Sequence, residues 1–232
     1  MSAIKGISSM ATRALLAELG EAYARTTGQR VDIVSVGGVA AAQRVQRGEA
    51  FDFVVLAADA IEALARSGRV AAGSRTTVAR SDIAVAVANG APKPDIGSEP
   101  ALRDTVLAAR TIGYSTGPSG AHLGRLFEGW GIADAIASRL VQASPGIPVA
   151  ALIARGDVDL GFQQLSELMH VPGVDVVGLL PAEVRMATLF SAAVCTVSDR
   201  AAAASAFLAY LASPAVDAVK RRHGIDPARA NA

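Results

Sequence analysis

Gly48-Glu49-Ala50-Phe51-Asp52-Phe53-Val54-Val55-Leu56-Ala57-Ala58-Asp59 is the stretch on which the fold turns. Phe53 to Leu56 is an unbroken apolar run, the pattern of a strand covered on both faces in a parallel sheet. Asp59 reads as the N-cap of the next helix, which carries Ile61, Leu64 and Ala65 on one stripe and ends at Gly68. A buried strand running directly into a helix is the repeating unit of an α/β protein.

The same unit recurs on both sides. Upstream, a short strand over 5–7 precedes a helix over 11–26, whose stripe is Leu15, Leu19, Ala22 and Tyr23 and whose stop is Gly28. Val31 to Val34 is a second strand, followed by a helix over 39–47. Near Arg80 the pattern changes. Val78-Ala79 and Ile83 to Val87 form one long extended stretch, closed by the proline-rich loop Ala91-Pro92-Lys93-Pro94. A second α/β series follows, with helices over 101–108 and 121–129, strands over 111–114 and 160–163, and a helix starting near Pro148. A strand over 174–177 and a long one over 187–197 lead to helices over 201–211 and 214–223. Residues 227–232 read as a frayed end.

Two α/β series joined by two long extended segments predict an α/β fold of two lobes. The sheets are mainly parallel, and a two-stranded hinge links the lobes. Residues 1–80 plus 193–232 are assigned to the first lobe and 81–192 to the second.

Composition narrows the function classes. The chain has 232 residues, 51% of them hydrophobic and 19% charged, which is a globular balance. Its 22 basic and 21 acidic residues leave a net charge of +1 with no basic stripe, so nucleic acid is not an expected partner. No apolar stretch reaches the roughly 18–20 residues of a membrane span, so no membrane insertion is expected. The one cysteine, Cys195, excludes an intrachain disulfide and reads as a small buried hydrophobe. His170 and His223 lack ligand-type spacing, no Walker loop or dinucleotide fingerprint is present, and neither metal nor cofactor is expected. The start at Met1 carries no secretory pattern. The expected location is the cytoplasm if that start is native, and the periplasm if a leader has been removed.

Ligands of parallel sheets bind beyond the carboxyl ends of strands, where helix N-termini offer unpaired N–H groups and a positive dipole end. Four junctions here are rich in small and hydroxyl residues. They are Ser8-Ser9-Met10-Ala11-Thr12, Ser35-Val36-Gly37-Gly38-Val39, Ser115-Thr116-Gly117-Pro118-Ser119-Gly120-Ala121-His122 and Ala143-Ser144-Pro145-Gly146-Ile147-Pro148. Any one alone indicates capping and a tight turn. Four together, two per lobe, point to a shared anion site.

This order resembles the type II periplasmic-binding-protein family, in particular the molybdate-binding proteins of ABC importers. The resemblance is carried by Ser8-Ser9-Met10, Thr27-Gly28-Gln29-Arg30-Val31, the 48–59 stretch, Pro118-Ser119-Gly120, Ala154-Arg155-Gly156-Asp157-Val158-Asp159-Leu160-Gly161 and Leu211-Ala212-Ser213-Pro214. It implies ligand contacts from Ser9 and from the N–H groups around Ser119-Gly120 and Gly146-Ile147. It extends the candidate ligand-binding set to Ser8, Ser9, Met10, Gly37, Gly38, Val39, Ser119, Gly120, Ala121, Gly146, Ile147 and Gln164. Two positions depart from the molybdate pattern. Val39 stands where a second serine is expected, and Gln164 where a tyrosine is expected. A site that loses a hydrogen-bonding partner loses its ligand's advantage. The expected ligand is therefore an organic di- or tricarboxylate rather than a molybdate-type oxyanion, with an ABC permease as partner only if the chain is exported.

The chain also looks similar to a branch that includes aconitate isomerase, which implies an alternative: a cytosolic isomerase shifting a double bond by proton transfer. That chemistry needs a base near a carbon acid. His122, beside the glycine loop, and Glu167 are the candidate catalytic residues. The plain alternatives are a ligand-contact or surface histidine and a solvated glutamate. Tyr114 and Arg125 could assist, although packing and solvation also account for them.

Overall fold

A computed structural model describes residues 2–144 and 146–228. Pro145, in the fourth of the junctions, and 229–232, at the expected frayed end, lie outside the described residues. The chain divides into two compact units, 1–81 with 188–232 and 82–187. It passes from the first to the second between Ser81 and Asp82 and returns between Ala187 and Thr188.

The first unit is built from strands β1 (Ile4–Ser9), β2 (Val31–Val36) and β3 (Phe53–Ala57) alternating with helices α1 (Arg13–Thr27), α2 (Gly38–Gln46) and α3 (Ala58–Arg66). The long strand β4 (Thr76–Ala88) then leads into the second unit. That unit comprises α4 (Glu99–Ala108), β5 (Ile112–Tyr114), α5 (Pro118–Gly129), α6 (Ala133–Ile136), β6 (Leu140–Gln142), α7 (Val149–Ala154), β7 (Leu160–Gln164), α8 (Leu165–Leu168) and β8 (Val174–Leu179). Strand β9 (Ala187–Val194), helices α9 (Ala201–Ala212) and α10 (Asp217–Arg222), and the short β10 (Asp226–Pro227) complete the first unit.

In the first unit β1 pairs in parallel with both β2 and β3, and β9 lies antiparallel along β3, Leu56 opposite Ser191. The apolar run of β3 is buried on both faces, as its sequence predicts, and the alternation is strict. Phe53 and Val55 join Ile4, Leu15, Leu19, Phe207 and Leu211 under α1 and α9. Val54 and Leu56 join Ile7, Ala41, Val45, Ile61 and Leu64 under α2 and α3. Cys195 belongs to the second cluster, and burial followed by the charge of Asp52 pushes its thiol up to about 12.

In the second unit β4 is flanked antiparallel by β7 and β8, and β5 lies parallel between β7 and β6. Ile83, Val85, Ile112, Leu160 and Phe162 face α4 and α5. Ala84 and Ala86 face α7. On that same face Gly113 and Gly161 carry no side chain, and a Cβ at Gly161 would lie 2.4 Å from Ile153 Cδ1. Their absence lets α7 settle directly on β5 and β7.

Asp59 does not cap α3. The cap position is Ala57, and Asp59 sits exposed in the first turn, where it complements the dipole without a capping hydrogen bond. The short elements β6, α6 and α8 are absent from the sequence reading. Three or four residues carry too little periodicity to reveal them.

Candidate functional site

In the first unit the site begins at the carboxyl ends of β1 and β2, which lie side by side with Ser9 opposite Val36. Successive strand residues face opposite ways, so the two serines of β1 diverge. Ser8 Oγ lies 2.8 Å from Ser35 Oγ on the neighbouring strand. Ser9 is 8% exposed and its Oγ is buried with no hydrogen-bond partner. A buried hydroxyl without a partner is costly, and it stands as a donor in reserve. Met10 begins the 3₁₀ turn that carries the chain from Ser9 into α1.

Gly37 precedes α2 and Gly38 opens it. A Cβ at Gly38 would stand 3.8 Å from the Ser9 Cβ, which brings the start of α2 beside that hydroxyl. The first bond into the helix runs from Ala41 N to Gly37 O, so the N–H groups of Gly38, Val39 and Ala40 precede the helical ladder. Val39 is 59% exposed in the first turn of α2.

In the second unit the chain leaves β5 through Ser115-Thr116-Gly117 and enters α5 at Pro118. Ser119 is buried and its Oγ lies 2.9 Å from Ser115 Oγ, while Gly117 N donates to Ser115 Oγ at 3.4 Å. The pair uses one hydroxyl proton between its two oxygens. Gly120 is required here: a Cβ would fall 1.7 Å from the Ser115 carbonyl oxygen. Ala121 is exposed, and its N–H makes the first bond of the helix, to Gly117 O.

At the fourth junction Gly146 has φ +85, the left-handed turn that favours glycine. Ile147 N donates to Ser144 O at 2.9 Å, and Val149 N donates to Gln163 Oε1 at 2.8 Å. The Ile147 amide offered to a ligand by the sequence reading is thus already engaged in its own turn.

Gln164 closes β7 and is buried on the Phe162 side of the strand. The neighbouring Gln163 accepts from Val149 N of α7 through its Oε1, and its Nε2 donates to Glu167 Oε1 of α8 at 2.7 Å. Burial dominates around the Glu167 carboxyl and pushes it up to about 7, against the opposing pull of that hydrogen bond. His122 Nε2 bonds the Val184 carbonyl at 3.1 Å. His122 and Glu167 are therefore held by separate partners. Tyr114 packs into the cluster under α4 and α5, and Arg125 is exposed on α5.

Two polar residues of this region escape the sequence reading of the site, Gln163 and Ser166, while Ser115 enters it only as part of its junction. Ser166 Oγ, in α8, is buried without a partner, as Ser9 Oγ is. A signal for Gln163 does exist. A glutamine inside the apolar strand Leu160-Gly161-Phe162-Gln163-Gln164 must find a hydrogen bond once buried.

Residues 4–226 match the family described as bacterial extracellular solute-binding protein. An aconitate isomerase from Pseudomonas sp. is 39% identical over 212 residues, spanning 89% of this chain and 81% of that protein. Among solved structures, the periplasmic molybdate-binding protein of Azotobacter vinelandii aligns with a TM-score of 0.80 at 22% identity, covering 96% of this chain and 98% of the other. The tungstate-binding protein of Desulfovibrio alaskensis aligns with a TM-score of 0.70 at 15% identity, covering 99% and 100%. With a two-unit α/β architecture of the type II periplasmic-binding-protein kind and a match over nearly its whole length, the chain belongs to the bacterial extracellular solute-binding protein family.

Proposed function

We propose that the chain binds a small organic di- or tricarboxylate through the donors at its strand ends. The observation that carries this reading is Ser9: a buried hydroxyl with no partner, next to the first turn of a nine-residue helix. Ser9 and the amides of Gly38 and Val39 supply donors for one carboxylate. The second unit carries polar groups of its own at its strand ends, in the Ser115–Ser119 pair, Gln164 and Ser166. The exposed isopropyl group of Val39 suits the carbon skeleton of an organic acid better than the oxygen shell of an inorganic oxyanion. Capture for an importer would require export and an ABC permease as partner; catalysis on an internal metabolite would require neither.

A ligand selective for the folded state raises its stability by about 2.7 kcal/mol at a hundredfold excess over Kd, roughly 5 °C or more for a chain of this size. Tricarboxylates are expected to raise Tm by that order, and Ser9→Ala to abolish most of the rise. If carboxylates and molybdate alike leave Tm unchanged, the proposal fails.

A second reading is an isomerase that shifts a double bond in an unsaturated tricarboxylate. It draws support from the 39% identical aconitate isomerase and from the carboxyl of Glu167, which burial pushes up to about 7. A carboxyl tuned to neutral pH can both take and return a proton under working conditions. On this reading Glu167 is the base at the carbon acid, and His122 orients the substrate. Solvent deuterium entering a carbon-bound position of the unsaturated acid is the expected result. Full exchange in Glu167→Gln removes that residue from the mechanism.

A further inference from the structure

We infer that Gln163 is a positioning residue for Glu167, holding the Oε1 edge of its carboxyl so that any transferable proton is carried on Oε2. The inference rests on the isomerase reading given above. It follows from donor and acceptor chemistry at three consecutive groups. The Val149 backbone N–H can only donate, so the Gln163 side-chain atom 2.8 Å from it must be the carbonyl oxygen. The amide nitrogen at the other end of the same group can only donate, and it lies 2.7 Å from Glu167 Oε1. Oε1 must then accept whether the carboxyl is ionised or neutral, which leaves Oε2 for the proton. The anchor is rigid at both ends. Gln163 is 3% exposed, and Val149 is fully buried at the start of α7, close to the side-chain-free positions Gly113 and Gly161.

Few charges surround this carboxyl. The spans of β7 and α7, Leu160–Gln164 and Val149–Ala154, contain no ionisable residue. On β8 the sole one is Asp175, whose carboxylate accepts from Asn89 Nδ2 and Gly90 N. His170 follows α8 by two positions, and Asp82 stands in β4, the strand beside β7. The two influences that set the ionisation of Glu167 are burial, which disfavours the charge, and the Gln163 donor, which favours it. Removing the donor has one direction: the carboxyl should become harder to ionise.

The test follows the Glu167 side-chain carboxyl by carbon-13 NMR against pH in the full chain, its signal assigned by loss in Glu167→Gln. In Gln163→Leu the midpoint is expected to rise by roughly 1 pH unit, the equivalent of one net hydrogen bond. Should Gln163→Leu fail to fold, Gln163→Met keeps the length and a weak sulfur acceptor near Val149 N–H while removing the amide donor and adding no charge, and the midpoint should again rise. An unchanged or lowered midpoint in a folded variant overturns the inference. In the deuterium-exchange assay the pH of half-maximal kcat should move up with the midpoint while KM changes less than twofold. A purely structural role would lower kcat and raise KM without moving the pH profile, and that outcome also overturns it. No exchange in the unsubstituted protein sinks the isomerase reading; the NMR titration then still decides whether Gln163 holds Glu167.

Discussion

The strand ends of the two units look alike in sequence and differ in what their polar groups are doing. In the first unit the β1 end keeps Ser9 Oγ unengaged, beside amides that precede the ladder of α2. In the second, the ends of β5 and β6 are bonded internally. Ser115 holds Ser119 and the Gly117 amide, Ser144 holds the Ile147 amide, and Gln163 joins the Val149 amide to Glu167. Ser166 is a hydroxyl in reserve there too, but it sits beyond the end of β7, in α8. The difference separates two tasks that serine- and glycine-rich loops perform. One presents donors; the other fixes the shape of a loop.

The largest test of that contrast is steric. Gly120→Ala places a methyl 1.7 Å from a backbone oxygen, so the β5–α5 loop must shift, and urea unfolding should record a loss of about 3 kcal/mol or more. Gly38→Ala meets nothing closer than 3.8 Å and should change stability by less than about 1 kcal/mol. Equal effects at the two glycines would break the comparison.

A comparable effect is expected from pH. Glu167 in the folded chain holds its proton up to about 7, above the ordinary carboxylate value of 4.5, so the native state binds more protons than the unfolded chain in that interval. Its contribution is therefore greatest below the unfolded value and is lost as pH rises toward 7, by about 3 kcal/mol in all. Glu167→Gln should flatten this decline. Its stability relative to the unsubstituted chain should grow between pH 5 and pH 7.5 in denaturant titrations. A parallel pair of curves would show the carboxyl to be ordinary.

The smallest effect is the sharpest comparison. Ser119→Ala breaks a serine pair and should cost about 1 kcal/mol. Ser9→Ala removes a hydroxyl that has no partner, so the ligand-free stability should hold or rise by a similar small amount. If Ser9→Ala destabilises as Ser119→Ala does, Ser9 belongs to the fold rather than to a ligand.

Much of the fold was legible because it rests on local patterns. The Phe53–Leu56 run, the stripe Leu15-Leu19-Tyr23 and the stops at Gly28 and Gly68 each declare an element within a dozen residues. The site was legible in part. The loops could be located because they join strand to helix, but the state of their donors depends on partners far along the chain. Ser8 is turned toward Ser35, and Val149 is bonded to Gln163, fourteen residues on. Nothing in the Ser8-Ser9 dipeptide says which hydroxyl is engaged until β2 is laid beside β1. Asp59 failed as a cap for a similar reason: the strand ends one residue later and the helix begins two residues sooner than its side chain suggests.

The order of synthesis gives the interrupted first unit a further meaning. Residues 82–187 are continuous, so the second unit can assemble as soon as they leave the ribosome. Residues 1–81 emerge earlier but must wait, with β3 lacking its antiparallel neighbour β9 and α1 lacking α9, until 188–232 arrive. The first half to be made is thus the last to be finished. For that interval Phe53 and Val55, the residues on which the fold turns, lack part of their cover, and a nascent chain stalled between the two segments would expose the surface that a chaperone grips.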